Sequence, residues 1–156
     1  MNIGLISDTH GLLRKSAVTA LTGADIIIHA GDIDVPLVLE QLNAIAPVYP
    51  VRGNMDRHPE MKHLPAFDMI QAGGISLYVI HDLLALDLDP AAAGIDAVVS
   101  GHSHEPKIKY RDGVLYINPG SAGPRRFKLP ISVGMLEIDN GVITPKIIEV
   151  SEYPNS

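Results

Sequence analysis

The sequence predicts an α/β fold in which two sheets are stacked and helices cover the outside. Apolar runs with strand and helix spacing alternate through the first half of the chain, and three tight-turn sequences separate apolar runs in the second half. The length of 156 residues, with 46% hydrophobic and 19% charged residues, is typical of one foldable domain. We therefore expect a single domain over residues 1–156.

The first half has the order βαβαβ. Short, continuous apolar runs are typical of strands buried on both faces, and they occur at residues 3–6, 26–28 and 48–51. The first helix is predicted from apolar residues at helical spacing, namely Leu13, Ala17, Ala20 and Leu21. The second is predicted to have Asp34 as its N-cap and Pro36 in its first turn, and to end before Pro47. We expect a largely parallel first sheet with helices packed on it.

The second half has a different pattern. Three hairpin turns are predicted from residue pairs that tolerate positive φ between apolar runs, Gly73-Gly74, Asp112-Gly113 and Asn140-Gly141. Strands are predicted over residues 75–80 and 97–99, and a weaker helix over residues 87–93. The segment from Pro119 to Pro130 is the longest predicted loop. We expect a second, mostly antiparallel sheet stacked on the first.

Composition excludes several classes of protein. The chain has no cysteine, which removes disulfides and thiolate ligands, and its formal net charge of −6 argues against broad binding of nucleic acid. No apolar run reaches the roughly 20 residues of a membrane-spanning helix. The first residues lack the pattern of a signal peptide. We expect a cytoplasmic protein without membrane association. The sequence is compatible with a monomer and with a homo-oligomer.

Residues of metal-ligand type follow five of the predicted strands, where loops converge over one crevice in an α/β sheet. These residues are Asp8, His10, Asp32, Asn54, His81, His102 and His104. Imidazole together with carboxylate favours manganese, iron, nickel or zinc over magnesium and calcium. Two Asp, one Asn and four His exceed what one ion takes and suit two ions that share a carboxylate. The glycines before Asp32, Asn54 and His102 are expected to turn the backbone so that these side chains point inward.

The motifs resemble the signature of the calcineurin-like metallophosphoesterase superfamily. The matching blocks, in order, are Asp8-Thr9-His10, Gly31-Asp32, Gly53-Asn54, His81 and Gly101-His102-Ser103-His104. The segment Asn118-Pro119-Gly120-Ser121 and the short chain are similar to its small bacterial and archaeal phosphodiesterase branch, to which the phosphoesterase-fold subunit of retromer is related. The resemblance implies a four-layer αββα sandwich of two mixed sheets flanked by helices.

The resemblance also implies a function and the residues that perform it. One divalent ion would be held by Asp8, His10, Asp32 and His104, and the other by Asp32, Asn54, His81 and His102, with Asp32 as the bridge. Manganese is expected, with iron, zinc or nickel as alternatives. A metal-bridging hydroxide would attack a small phosphodiester, with Asp32, Asn54 and His81 as catalytic residues and Asn54 on a phosphoryl oxygen. The alternative is a non-catalytic interaction scaffold with a structural metal site.

The sequence departs from the family pattern at two places. Met55 follows Asn54, where larger members have a histidine, and Asp82 follows His81, where small relatives often have Gly-His. No general acid is therefore identified, and slower hydrolysis of poor leaving groups is expected. We predict that the charge of Asp82 repels dianionic monoesters.

Other polar residues have competing interpretations. His29 is predicted to orient a ligand and not to bind metal itself. Asp56 either supports a ligand or caps a turn, and Ser121 either shapes a loop or binds substrate. Arg125 and Arg126 either bind phosphate or form a solvated loop face. Four leucines are predicted to belong to the core or to a partner surface: Leu83, Leu84, Leu86 and Leu88.

Overall fold

The computed structural model describes residues 1–151 and Tyr153, so Glu152 and residues 154–156 of the predicted domain lie outside the described residues. The described part contains two five-stranded sheets. Their strands are β1 (Asn2–Ile6), β2 (Ile26–His29), β3 (Val48–Pro50), β4 (Phe67–Ala72), β5 (Ile75–Ile80), β6 (Ala97–Val99), β7 (Lys107–Arg111), β8 (Val114–Asn118), β9 (Ser132–Asp139) and β10 (Val142–Glu149). The helices are α1 (Lys15–Leu21) and α2 (Pro36–Asn43), with short 3-10 helices at Pro59–Met61 and Leu83–Ala85.

Both sheets are mixed, in agreement with the expected sandwich. The first has the order β10-β9-β1-β2-β3 and the second β4-β5-β6-β8-β7. In each sheet the pairings are two parallel and two antiparallel. The expectations of a largely parallel first sheet and a mostly antiparallel second sheet were therefore wrong. The β9–β10 hairpin joins the free side of β1 in the first sheet, which a turn sequence alone does not reveal.

The main core lies between the two sheets. Inward-facing apolar side chains of β1 and β2 pack there against those of β5, β6 and β8, among them Leu5, Ile28, Leu77, Val99 and Ile117. All five are fully or almost fully buried. This core fixes the two sheets against each other. The carboxyl ends of β1, β2, β5 and β6 therefore keep fixed positions relative to one another.

The three predicted hairpin turns are confirmed, each with two residues between the paired strand ends. Both central residues have positive φ in every case, for example 49° at Asn140 and 77° at Gly141. This is the conformation that matches the twist of antiparallel strands.

Two α-helices cover the outer face of the first sheet. Ala17 and Leu21 of α1, with Val38 and Leu42 of α2, pack on that face. Pro36 is at the start of α2 as predicted, but the N-cap is Val35, and the expected capping by Asp34 is wrong. The reason is that Asp34 has a φ of 74°, and its carboxylate lies 3.5 Å from His10 Nδ1.

The outer face of the second sheet is covered differently, by the 3-10 helix Leu83–Ala85 and a turn over residues 90–94. The helix predicted over residues 87–93 is wrong. The Asp89 carboxylate accepts the N–H groups of Ala91 and Ala92, and Gly94, with a φ of 73°, follows after a single turn. Among the four leucines, Leu86 and Leu88 pack on this face and Leu84 is exposed.

No helix among the described residues is both long enough and apolar enough to cross a membrane.

Candidate metal centre

The structure brings the predicted ligands of both sheets to one edge of the sandwich. Asp8 and His10 follow β1, Asp32 follows β2, and Asn54 follows β3. His81 follows β5, and the pair His102 and His104 follows β6. Because the strands that carry them run in one direction within each sheet, their loops meet above the carboxyl ends.

Two buried carboxylates form the centre of this cluster. Asp8 Oδ1 lies 3.3 Å from His104 Nε2, 3.9 Å from His81 Nε2 and 3.9 Å from His10 Nε2. Asp32 Oδ2 lies 3.3 Å from His81 Nε2 and 3.8 Å from His10 Nε2. Ligand atoms of Asp8, His10 and His104 are close enough to hold one ion, and so are those of Asp8, Asp32 and His81. Asp8 belongs to both groups, whereas Asp32 belongs to the second and approaches His10 of the first. The bridging role of Asp32 stays a prediction.

Asn54 and His102 form the open side of the cluster. Asn54 Oδ1 lies 3.0 Å from His81 Nε2. The His102 side chain is 46% exposed, and its ring stands edge-on to the His81 ring with centroids 5.2 Å apart. Its Nε2 lies 3.8 Å from Asp82 Oδ2, so Asp82 adds negative charge at this rim.

Most of the predicted ligands adopt a backbone conformation that is rare outside glycine. Five of the seven have a φ between 46° and 70°: Asp8, His10, Asp32, His102 and His104. Such residues cost free energy and persist only where the surrounding structure holds them. Their concentration at one edge of the molecule marks a functional site.

Three glycines were expected to serve the site by tight turning. Gly31 has a φ of 103°, as that expectation requires, but for the other two the structure gives a different reason. Gly53 and Gly101 do not have positive φ. A Cβ on Gly53 would overlap Asp32, and a Cβ on Gly101 would overlap Ser7 and the Asp8 carboxylate. These positions need glycine because another loop passes too close for a side chain: the loop of the neighbouring strand β2 at Gly53, and the loop after β1 of the facing sheet at Gly101.

The imidazole of His81 is oriented by the backbone. Its Nδ1–H donates to the carbonyl of Ala30 at 2.7 Å. Burial lowers the pKa of His81, but the hydrogen bond to Asp32 and the charges of Asp8 and Asp32 outweigh it and raise the pKa, so without a cation Nε2 holds a proton and donates to Asp32. A metal would replace this proton, and the Nε2 lone pair would then face the oxygens of Asp8, Asp32 and Asn54. A lone pair that faces three oxygens is the arrangement of a metal ligand, because a cation between them relieves the repulsion.

Both central carboxyls have a pKa below the ordinary value. Burial raises the pKa of Asp8, but the close imidazole of His104, the hydrogen bond from Ser7 and the charge of His81 outweigh it. Burial likewise raises the pKa of Asp32, and the hydrogen bonds from His81 and the Met55 N–H outweigh it. Both groups are therefore ionised at neutral pH and available to a cation.

The unpartnered atoms of the cluster fit a divalent metal. Among the described residues, four buried side-chain atoms have no hydrogen-bond partner: Asp8 Oδ1, His10 Nε2, Asp34 Oδ1 and His104 Nδ1. Buried polar atoms normally have partners, and Asp8 Oδ1 and His10 Nε2 face each other across 3.9 Å, which fits a cation held between them. Mixed nitrogen and oxygen donors without sulfur suit manganese, iron, nickel or zinc.

His29 lies beneath the cluster and contacts the loops that carry the ligands, while its predicted role of orienting a ligand directly stays a prediction. It is fully buried, accepts the Gly31 N–H at Nδ1, and lies 3.0 Å from Thr9 Oγ1 through Nε2. Burial is the main reason that the pKa of His29 is lowered to about 4, so the ring is neutral. It connects the loop that carries Asp8 to the loop that carries Asp32.

Asp56 also supports the cluster, and to an extent that the sequence did not reveal. Its buried carboxylate accepts four backbone N–H groups, those of Asp32, Ile33, Asp34 and Gly53, at 2.8–3.0 Å. It therefore joins the loops after β2 and β3. The first three donors are more than twenty residues away in the sequence, so no local motif indicates this role.

The loop after β8 is held against Asp8 from the other side. Ser121 Oγ donates to the Asp8 carbonyl and accepts the Gly123 N–H. Since both capacities of the hydroxyl are engaged, the geometry favours loop shaping over substrate binding, which stays a prediction for Ser121. Arg14 is buried and donates to the carbonyls of Ala122 and Gly123, a role that sequence reasoning missed. Arg125 and Arg126 are exposed in the same loop.

Two stacked mixed sheets with carboxylates and imidazoles gathered above their strand ends define an α/β sandwich with a candidate metal centre. The sequence profile of the calcineurin-like phosphoesterase superfamily domain matches residues 1–141, and the chain belongs to this superfamily. The predicted resemblance is thereby confirmed.

Relatives agree with this assignment. A probable metallophosphoesterase of Methanothermobacter thermautotrophicus is 34% identical over 160 residues, which cover 95% of this chain and 92% of that one. The phosphodiesterase YfcE of Escherichia coli K12 is 29% identical over 89% of each chain. The crystal structure of Vps29 from Entamoeba histolytica, complexed with Zn²⁺, superposes with a TM-score of 0.72 at 22% identity, covering 96% of this chain and 99% of that one. This last likeness concerns the fold.

Proposed function

We propose that this protein is a two-metal phosphodiesterase that hydrolyses small phosphodiesters. One observation carries the proposal: two ionised, buried carboxylates and the imidazoles around them leave several of their donor atoms without a protein partner. The phosphodiesterase named among the relatives supports the choice of substrate class.

The residues divide between two ions. Asp8, His10, Asp32 and His104 would hold one, and Asp32, Asn54, His81 and His102 the other. When bound, the ions would polarise phosphoryl oxygens as Lewis acids and lower the pKa of a coordinated water, which supplies the nucleophile near neutral pH. Manganese is the first choice, with iron, zinc or nickel as alternatives.

The chain's own groups position the substrate. The carbonyl of Ala30 fixes the His81 ring, and His81 in turn lies against the Asn54 amide oxygen. That contact turns the Asn54 NH₂ group away from His81, where it would donate to a phosphoryl oxygen. The Asp32 carboxylate is held by the Met55 N–H, so its second oxygen keeps a constant direction. The buried floor would exclude bulk water, while the open side at His102 admits the ester.

The test is hydrolysis of bis(p-nitrophenyl) phosphate by protein purified with manganese. We expect turnover that a chelator abolishes and that added manganese restores. Asp32→Asn and His104→Ala should each lower kcat/KM by about 10³-fold or more. His63→Ala is the matched control, because His63 is an exposed histidine outside the cluster, and it should keep wild-type turnover. Absence of metal-dependent turnover, or wild-type turnover in both cluster variants, would overturn the proposal.

A second candidate is a non-catalytic scaffold with a structural metal site, which the likeness to Vps29 favours. Under this alternative, manganese would raise the thermal stability of the protein and bis(p-nitrophenyl) phosphate would remain intact. The same purified samples therefore separate the two functions.

A further inference from the structure

A groove of about 840 Å³ begins at the rim of the metal centre and continues over the outer face of the second sheet. His102 and Asp82 border it where it meets the cluster. One wall is β7, and the opposite wall is the segment of 3-10 helix and turn that replaces the predicted helix. The groove exists because this segment is short and leaves the face beside β7 uncovered.

The β7 wall carries three cations in a row. Lys107, Lys109 and Arg111 occupy alternate positions of the strand and so share one face, and all three line the groove. All three are exposed, and none has a hydrogen bond or ion pair from its side chain to any residue that the structure describes. In a chain with a formal net charge of −6, three cations on one strand face form a local positive row at which an anionic group can bind.

The row has a direction relative to the metal centre. Lys107 pairs in register with Asn118, whose amide donates to the Gly101 carbonyl next to His102. Arg111 pairs with Val114 at the far end of the hairpin. The cations therefore lead away from the cluster, and an anion bound to Lys109 or Arg111 is separate from the one at the metals.

The opposite wall and the floor are largely apolar. Leu84 is 94% exposed, Leu88 lines the groove beside it, and Tyr116 lies on the floor in register with Lys109. An exposed leucine and a tyrosine that line the same groove offer an apolar surface on which a planar organic ring can pack. Four carboxylates also line the groove. Those of Asp82 and Asp89 accept backbone N–H groups of their own turns, and those of Glu105 and Asp112 lie before and after β7.

We propose that the groove is the recognition site for the substrate's organic part, and that this part is a nucleotide with a second phosphate group. The scissile phosphodiester lies at the metal centre, the nucleoside lies between Leu84 and Tyr116, and the second phosphate lies on Lys109 and Arg111. This assignment rests on the proposed phosphodiesterase function and names its substrate class. The groove has the volume of a site for one small organic ligand. A small substrate also agrees with the negative net charge of the chain, which argues against binding of long nucleic acids.

Two chromogenic diesters that differ by one phosphate test the assignment. These are the p-nitrophenyl ester of thymidine 5′-monophosphate and the same ester with a 3′-phosphate. We expect the manganese-loaded protein to hydrolyse the second with about tenfold higher kcat/KM. In the double variant Lys109→Gln/Arg111→Gln that preference should fall to less than about twofold, while turnover of bis(p-nitrophenyl) phosphate stays at the wild-type level. Lys15→Gln, which neutralises an exposed cation on α1, is the matched control and should keep the full preference.

Binding supplies a measurement that does not depend on turnover. Calorimetric titration with thymidine 3′,5′-bisphosphate should show an affinity that the double variant lowers about tenfold, while thymidine 5′-monophosphate binds both proteins equally. Equal hydrolysis of the two nucleotide esters by the wild type, or unchanged bisphosphate affinity in the double variant, would overturn the groove assignment. Failure to hydrolyse any diester would instead count against the proposed function, and the titration would still test the groove.

Discussion

The candidate metal centre has two unlike sides. On the buried side, Asp8, Asp32 and His104 are almost inaccessible to solvent, and all three have positive φ. On the open side, Asn54 is exposed and nearly half of the His102 side chain is accessible. The carboxylates of the buried side are each held by backbone N–H groups, whereas His102 contacts a neighbouring ring and the rim residue Asp82.

The difference between the two sides shows which part of the site is held in place by the protein fold without a metal. The buried side is assembled by groups that bind no metal and belong to the protein core, chiefly Asp56, His29 and Ser121. Substitutions there should act on folding and metal affinity together. Substitutions on the open side should act on affinity or specificity and leave stability unchanged.

The largest effect is expected for Asp56→Ala. The variant leaves four backbone N–H groups without their acceptor, and each buried unpaired donor costs about 1–3 kcal/mol. Since water can reach the loop after relaxation, we expect the free energy of unfolding to fall by about 4 kcal/mol. Urea denaturation in the presence of a chelator measures this without a contribution from bound metal.

Asp68→Ala is the matched control for this variant. The Asp68 carboxylate accepts one exposed N–H, that of Met69, so its loss should cost less than about 0.5 kcal/mol. A loss below about 1 kcal/mol in Asp56→Ala would show that the loops after β2 and β3 are held by other contacts.

The next effect is a pH dependence of stability that comes from His29. Its pKa is about 4 in the folded protein, against an ordinary value of 6.5. The folded state therefore binds fewer protons, so stability is fully present above pH 6.5 and is lost as the pH falls toward 4. The full loss is about 3 kcal/mol, and His29→Gln should not show it. Unfolding free energies at pH 7 and pH 4.5, for wild type and variant without metal, measure the difference, and parallel pH profiles would contradict the prediction.

The sequence predicted the strand ends and the ligand types of this site, but not the contacts by which other groups hold them. Asp8, His81 and His104 follow buried apolar runs, so a local pattern locates them. Asp56 and Arg14 act through backbone groups of distant loops, and no spacing rule connects them to their partners. Sheet order was missed for the same reason, since a hairpin sequence does not say which strand the hairpin joins.

Metal affinity should separate the two sides directly. Truncation of buried His104 removes a donor 3.3 Å from Asp8 that water cannot easily replace, and we expect manganese to bind His104→Ala about 100-fold more weakly than the wild type. Truncation of His102 leaves an open position that water can fill, so His102→Ala should lose only about tenfold. Calorimetric titration with manganese measures both, and circular dichroism verifies that both variants are folded. Equal losses of manganese affinity in the two variants would mean that His102 on the open side is held as rigidly as His104 on the buried side.

The smallest effect concerns substrate charge at the rim. Asp82 Oδ2 lies 3.8 Å from His102 Nε2, while Oδ1 accepts the Leu84 N–H at the start of the 3-10 helix. Asp82→Asn keeps an oxygen for that N–H and removes the charge, whereas Asp82→Gly removes both. If the carboxylate repels dianions, both variants should raise turnover of p-nitrophenyl phosphate relative to bis(p-nitrophenyl) phosphate, by about threefold. Asp89→Asn, at a turn farther along the groove, is the control and should leave the ratio unchanged. A change in Asp82→Gly alone would assign the effect to the lost hydrogen bond of the helix, and an unchanged ratio in both would remove Asp82 from substrate selection.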